Sequence, residues 1–260
     1  MSGARMSAMR HLFLAIMLAF IGGHASLSQQ VAIPAFSKLK ANYMGYAHHG
    51  GDYHHYQLIK AVGVDSNLLL QDDTSALRLS ATLNKIGGAH SLGKEPIRLS
   101  KFGHDSVPGN NGLQYIYHPI AYGPYLADKY GYPTVTKLHE MDPLDTKKNF
   151  WGKQGILRVI TYTDNQNLPK GHVALWDCNH FHQAPDWIAK HNLVTVEFWE
   201  SPDSFCNNMP PMPQLPADYP KLEDILPPNR RAGKRRHHRH MHWEEIFVEN
   251  FIKKLMTKSS

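Results

Sequence analysis

The chain has 260 residues, of which 42% are hydrophobic and 19% charged, so it can bury the core of one domain and is too apolar for wholesale disorder. Two cysteines exclude a disulfide-dense miniprotein and a four-cysteine zinc module, and no apolar run is long enough for a membrane span. The net charge is +6, but six of the 28 basic residues lie within 230–239, which leaves 22 basic against 22 acidic residues elsewhere. The composition therefore predicts no nucleic-acid partner for the body of the protein.

The N-terminus has the pattern of a secretory signal peptide. Arg5 and Arg10 precede an apolar run over residues 12–21, and the small residues Gly23 and Ala25 flank His24 at a cleavage-site spacing. We therefore expect a signal peptide over residues 1–25 and a secreted, extracellular protein. A buried N-terminal helix and a retained signal anchor are the alternatives, and the short run and its flanks favour the signal peptide.

Two helices are predicted in the first half of the mature chain. The polar and acidic residues of 72–75 are typical of a helix start, apolar residues follow at helical spacing, and Gly87 and Gly88 mark the end. Residues 117–130 form a second candidate helix, which stops before a Gly-Tyr-Pro sequence.

Strand signals come later in the chain, over residues 155–162, 172–176 and 194–199. In the second of these strands, His172, Ala174 and Trp176 fall on one face. Helices first and alternating strands afterwards predict an α+β fold with an antiparallel sheet.

The composition changes after the last predicted strand. We expect a folded domain over residues 36–205, a proline-rich linker over 206–229, and a basic, histidine-rich tail over 230–260 that ends in a short amphipathic helix. In an oxidising compartment, Cys178 and Cys206 are most simply a disulfide, and two free buried thiols are the alternative.

Two residues invite a catalytic interpretation. Ser75 lies at the N-terminus of an apolar helix, where the dipole and unpaired amides stabilise an anion, and His172 opens a later strand as a potential base. Papain-type hydrolases need this geometry. The structural alternative is a helix-capping serine with a histidine that is near it by chance.

The residues around these positions are more specific. TSALRLSATLNKIGG (74–88) resembles the nucleophile helix of type VI secretion amidase effector family 4, and KGHVALWDCN (170–179) is similar to that family's catalytic-histidine motif. YLADKYGYP (125–133), GKQGILRVITYTD (152–164) and TVEFWES (195–201) resemble further segments in the same order. The resemblance covers roughly residues 36–201 and implies an NlpC/P60-like, papain-like fold. Secreted eukaryotic members are known as a class, which fits the N-terminus.

The resemblance also implies an activity and its residues. The family cleaves the amide bond between D-glutamate and diaminopimelate in bacterial wall peptides, without metal or cofactor. Ser75 stands where the family has its nucleophilic cysteine, His172 would be the general base, and Asp186, or else Asp177, the acid that orients it. A serine hydroxyl scarcely ionises near neutral pH, so the substitution at residue 75 predicts impaired or absent hydrolysis.

Two functions follow as hypotheses. The first is a secreted amidase-effector-like protein whose partner is bacterial peptidoglycan or another anionic extracellular surface. The alternative is a non-catalytic secreted binding or extracellular-matrix protein on the same fold, suggested by the proline-rich and basic C-terminus.

The histidine pairs 48–49 and 54–55, together with His180 and His182, lack a metal-binding spacing, so we interpret them as exposed loop residues.

Overall fold

The structure, a computed structural model, describes residues 31–65, 73–99, 104–140, 142–161, 169–191, 193–207 and 209–213. The predicted signal peptide, the basic tail and the linker beyond residue 213 lie outside these residues, as does the predicted C-terminal helix. Among the helices described, none combines the length and apolar character that a membrane crossing requires.

The described residues form helices and antiparallel strands. The helices are α1 (Phe36–Asn42), α2 (His55–Val62), α3 (Ser75–Ile86), α4 (Pro119–Tyr130), α5 (Pro143–Lys148) and α6 (Trp187–Lys190). The strands are β1 (Ser106–Pro108), β2 (Gln114–Ile116), β3 (Val135–Glu140), β4 (Lys153–Thr161), β5 (Lys170–Cys178), β6 (His180–Phe181) and β7 (Val194–Glu200).

The main sheet has the strand order β3-β7-β4-β5-β6, and every neighbouring pair in it is antiparallel. A separate two-stranded sheet pairs β1 with β2. The predicted α+β class is therefore confirmed. The three strands expected from sequence are β4, β5 and β7, and β5 is longer at both ends than the predicted 172–176.

Helix α3 begins at Ser75 and ends at Ile86, as predicted from its cap residues and glycines. Gly87, the residue after the helix, has a φ of 73°, which glycine adopts without strain. Every residue from Ser75 to Leu83 is buried, so α3 is the central helix of the domain. The second predicted helix is α4, which starts two residues later than expected because Pro119 takes the first helical position.

Helix α3 packs against one face of the sheet. Leu79 and Leu83 of the helix belong to the same buried cluster as Val173 and Leu175 of β5. The opposite face of β5 carries Trp176, which packs in a second cluster with aromatic residues of β7 and of the loop before β4. Because β5 alternates its side chains between two cores, it is held on both sides.

One edge of β5 is only partly paired. Strand β4 pairs with β5 along its whole length, whereas β6 pairs with it only at Trp176 and Asp177. Strand β6 therefore does not pair with the outer-edge backbone groups near His172, and another element can form hydrogen bonds with them. The N-terminus of α3 occupies this edge, where the N–H of Val173 donates to the Ser75 hydroxyl at 3.0 Å.

Cys178 and Cys206 form a disulfide, as expected from the secretory pattern. The bond links the end of β5 to the segment that follows β7, and the two cysteines are 28 residues apart in sequence. Another contact in this region is the Ser204 hydroxyl, which accepts from the N–H of Gln154 at 2.8 Å. The C-terminal segment of the domain is thus tied to the sheet beside the β5–β6 hairpin.

Removing the disulfide should destabilise the protein. A loop closed across 28 residues contributes about 3–4 kcal/mol to the free energy of unfolding in the chain-entropy model. We expect the Cys178→Ser/Cys206→Ser variant to lose about this much in urea unfolding, and reductant to shift only the wild type. Equal stability of the oxidised wild type and the double variant would show that the disulfide contributes nothing.

Candidate active site

Ser75 is the first residue of α3 and is fully buried. Its hydroxyl donates to Asp73 Oδ2 at 3.0 Å and accepts from the backbone N–H of Val173 at 3.0 Å. The hydroxyl therefore acts as both donor and acceptor within the protein. The hydrogen bond that it accepts from Val173 joins the start of α3 to β5.

His172 lies on β5 and is also fully buried. Its Nδ1 atom is 2.6 Å from Asp73 Oδ2. The imidazole is stacked on the Trp187 ring, with 5.1 Å between ring centroids and 11° between planes, and Phe181 approaches it edge-on. These contacts fix the plane of the ring, so His172 presents its Nδ1 atom toward the start of α3.

Asp73 joins the two residues predicted from sequence. Its Oδ1 atom accepts from the Tyr46 hydroxyl at 2.6 Å and from the Ser75 N–H at 2.8 Å, while Oδ2 accepts from the Ser75 hydroxyl and faces His172 Nδ1. Burial raises the pKa of this carboxyl, but His172 and the hydrogen bonds from Tyr46 and Ser75 outweigh burial and hold the pKa below its ordinary value. Asp73 is therefore ionised at neutral pH, and Nδ1 of His172 donates to it.

Arg78 positions the loop that carries Tyr46. The guanidinium is buried and donates to the carbonyl oxygens of Met44, Gly45 and Tyr53 at 2.6, 2.7 and 3.0 Å. It also lies over the Tyr46 ring, 3.7 Å from the centroid. The arginine of the α3 sequence motif thus serves the site indirectly, by fixing a residue that binds Asp73.

Burial also changes the titration of this tyrosine. It raises the pKa of Tyr46 well above its ordinary value, and the Asp73 charge adds to the effect. The phenol therefore stays protonated and remains a donor to Asp73.

The second nitrogen of His172 has no hydrogen-bond partner among the described residues. Nε2 is buried, and among the described residues no side chain or backbone group forms a hydrogen bond with it. Since Nδ1 faces Asp73, an acid that orients the ring in a papain-type site would have to meet Nε2.

Neither acid predicted for that role reaches it by a described hydrogen bond. Asp186 accepts from the N–H of Ala189 at 3.0 Å and forms an ion pair with Lys147, so it caps the short helix that carries Trp187. Asp177 instead contacts Lys40 and Gln154. The carboxylate that contacts His172 is Asp73, which sequence reasoning treated as a helix-start residue. Its position two residues before Ser75 was the only available signal.

The centre is closed to solvent in this structure. Ser75 and His172 both have 0% exposure. A neighbouring cavity of about 370 Å³ is lined in part by Tyr46, Thr74 and Arg78, but neither Ser75 nor His172 lines it. A substrate carbonyl would reach the hydroxyl only after side chains around it moved.

The arrangement differs from a productive triad in the order of its groups. In such a triad the imidazole accepts the proton of the nucleophile and a carboxylate orients the imidazole from behind. Here the carboxylate lies between Ser75 and His172, and it accepts hydrogen bonds from both. The described partners of the Ser75 hydroxyl are Asp73 and the N–H of Val173, not a ring nitrogen of His172, and a carboxylate with a lowered pKa is a weak base toward the hydroxyl.

No protein-family model and no curated protein sequence matches this chain. Among solved structures, the type VI effector Tae4 from Enterobacter cloacae is similar, with a TM-score of 0.49 and 18% identity over 66% of this chain and 99% of that chain. The Tae4–Tai4 effector–immunity complex from Salmonella Typhimurium gives a TM-score of 0.47 and 20% identity over 65% and 99%. The corresponding complex from Enterobacter cloacae gives 0.48 and 19% over 65% and 98%. At these identities and TM-scores the similarity carries no conclusion about the activity of this chain.

Replacing Asp73 by asparagine should destabilise the fold. The two carboxylate oxygens of Asp73 accept the hydrogen bonds of this network, whereas an asparagine amide offers only one acceptor oxygen. We therefore expect Asp73→Asn to lower the free energy of unfolding by about 2–4 kcal/mol. The pKa of Asp73 is lowered in the folded protein. The stability difference between the wild type and Asp73→Asn should therefore be fully present above the ordinary carboxyl pKa of about 4, and it should vanish as the pH falls through the pKa of Asp73 in the folded protein. Urea unfolding at pH 7 and at successively lower pH measures both. Asp128→Asn, at an exposed aspartate, is the control and should change little.

Proposed function

We propose that this chain is a secreted amidase-effector-like protein that recognises the D-glutamyl–diaminopimelate peptides of bacterial walls and whose hydrolytic centre is silent in its natural form. The observation that carries the proposal is the position of Asp73, which holds the residue at the nucleophile position and the histidine base through one oxygen atom.

The amidase scaffold is supported by the way in which the motif residues meet. Ser75 and His172 are 97 positions apart in sequence, yet both contact Asp73 Oδ2. The meeting point combines the N-terminus of a buried helix with the edge of a strand, as a papain-type nucleophile and base require. The sequence resemblance around these two residues supplies the substrate class.

Three features support the loss of hydrolysis. A serine hydroxyl is not ionised near neutral pH and needs a base that takes its proton. The proton of Ser75 is directed at an ionised carboxylate of low basicity. The hydroxyl is also buried, and it accepts a backbone N–H that would have to be released before attack.

Secretion is part of the proposal. The predicted signal peptide lies outside the described residues, and the support comes from the Cys178–Cys206 disulfide, since such bonds persist in oxidising compartments. The binding or matrix function suggested by the C-terminal tail depends on residues that the structure does not describe.

The natural protein should not cleave wall peptides. We expect purified protein incubated with Gram-negative sacculi to release no muropeptides beyond the amount released by His172→Ala, when the products are read by mass spectrometry. Products cut between D-glutamate and diaminopimelate that appear with the wild type and disappear with His172→Ala would establish a serine amidase and overturn the proposal of a silent centre.

Restoring the thiol should reveal the scaffold, and removing the Asp73 charge should enhance its activity. Ser75→Cys supplies a nucleophile that ionises more easily, but the neighbouring carboxylate opposes the thiolate and still engages His172. We therefore expect slow cleavage by Ser75→Cys and cleavage about 100-fold faster by Ser75→Cys/Asp73→Asn, the scale of a recovered general base. Thermal melting confirms that each variant is folded.

The outcomes separate the two parts of the proposal. Equal rates for the single and double variants would show that Asp73 does not restrain the centre. Folded variants that both fail to cleave sacculi would contradict the wall-amidase scaffold.

A further inference from the structure

A cluster of metal-ligand side chains lies at the β5–β6 hairpin. Asp177 is the register partner of His180 across the hairpin, and His182 follows two positions later. Each of the three residues offers one ligand atom, and these atoms all lie within 4.8 Å of one another. The cluster shares no residue with the Ser75–Asp73–His172 network, so its chemistry is independent of the proposed function.

The hairpin holds these residues in place. The backbone N–H of His182 donates to the carbonyl of Leu175 at 2.8 Å, which continues the pairing beyond β6. Cys178, next to Asp177, is fixed by the disulfide to Cys206. The ligands therefore stand on a short, cross-linked turn, and such a rigid support lowers the entropic cost of arranging them around an ion.

Asp177 already binds a cationic group. Its carboxylate is largely buried, accepting from Lys40 Nζ at 2.8 Å through Oδ2 and from Gln154 Nε2 at 2.7 Å through Oδ1. His182 Nδ1 lies 3.9 Å from the same Oδ2 atom that Lys40 contacts. The carboxylate oxygen that binds the lysine ammonium thus also lies 3.9 Å from an imidazole nitrogen.

We propose that Asp177, His180 and His182 form a binding site for a divalent transition-metal ion, with Zn²⁺ as the representative ligand, and that Lys40 occupies the position of the ion in the metal-free protein. Two imidazoles and one carboxylate are a donor set that suits Zn²⁺, with solvent as the fourth ligand.

The three ligand atoms must move slightly closer together to bind a zinc ion. Zinc bonds to nitrogen and oxygen are about 2.0–2.2 Å long, so ligand atoms in a tetrahedral site approach within about 3.5 Å of each other. His180 is exposed and can close the difference by rotating its side chain, whereas Asp177 and His182 are held by the fold.

Lys40 can leave the site readily. Its side chain is 50% exposed, against 10% for Asp177, so it can turn into solvent when an ion takes its place. In the absence of metal, the ammonium keeps the buried carboxylate paired and so avoids the cost of an isolated charge. Lys40 therefore acts as an internal competitor that lowers metal affinity.

Zinc titration of the full chain tests the site. Because the histidine-rich tail can bind metal as well, every protein carries glutamine at the tail histidines: His237, His238, His240 and His242. In this background we expect calorimetry to detect a Zn²⁺ site. His180→Ala and His182→Ala should each lower its affinity at least about 100-fold, a loss at least as large as that caused by removing a residue that only supports a metal ligand. The exposed His104 provides the control His104→Ala, which should not change the affinity.

Lys40→Met tests the competition. Removing the ammonium while keeping the length of the side chain should increase the Zn²⁺ affinity about tenfold, since a cation 2.8 Å from the carboxylate both competes with and repels the ion. His180 is exposed, so His180→Ala remains informative even if a variant at a buried position fails to fold. Unchanged affinity in both histidine variants would overturn the metal site, and unchanged or weaker binding by Lys40→Met would overturn the role of Lys40. Neither result would bear on sacculus cleavage.

Discussion

The buried charge of Asp73 is the interaction on which the centre of this protein depends. An ionised carboxylate inside a protein is costly unless donors satisfy both oxygens. Here the donors come from three segments: the loop at Tyr46, the start of α3 at Ser75, and β5 at His172. Because none of these segments alone can satisfy the charge, the carboxylate couples them, and the guanidinium of Arg78 holds the first segment in place.

The same hydrogen bonds limit the chemistry of the site. A general base needs a lone pair directed at the proton of the nucleophile, yet Nδ1 of His172 donates to Asp73. The Ser75 hydroxyl in turn donates to the carboxylate and accepts from Val173. The hydrogen bonds that stabilise this junction are therefore also the ones that remove its base, an example of the general conflict between stability and activity at functional sites.

The features that could be predicted from the sequence depend on local patterns, whereas the features that could not be predicted depend on contacts between distant residues. The bounds of α3 follow from polar residues at its start and glycines at its end, and the disulfide follows from the secretory pattern. The local role of Asp73, accepting the N–H of Ser75, was visible as a helix-start signal, but its bond to His172 spans 99 positions. Asp186 was the first candidate for the orienting acid, and in the structure it caps a four-residue helix. The approach of Asp177 to His182 likewise needs the hairpin to close.

Nε2 of His172, for which the described residues supply no hydrogen-bond partner, is not what a site formed for core packing alone requires. Nε2 is buried with no described partner, and a buried polar atom in that condition costs about 1–3 kcal/mol. The ring is enclosed by Trp187 and Phe181, so an apolar side chain would fill the space without that penalty. A purely structural site gains from the imidazole only its bond to Asp73, a carboxylate to which the Tyr46 hydroxyl and the Ser75 N–H already donate. The histidine and its carboxylate together form a polar pair within this aromatic enclosure, and it is this pair, rather than the packing, that the proposed hydrolytic scaffold accounts for.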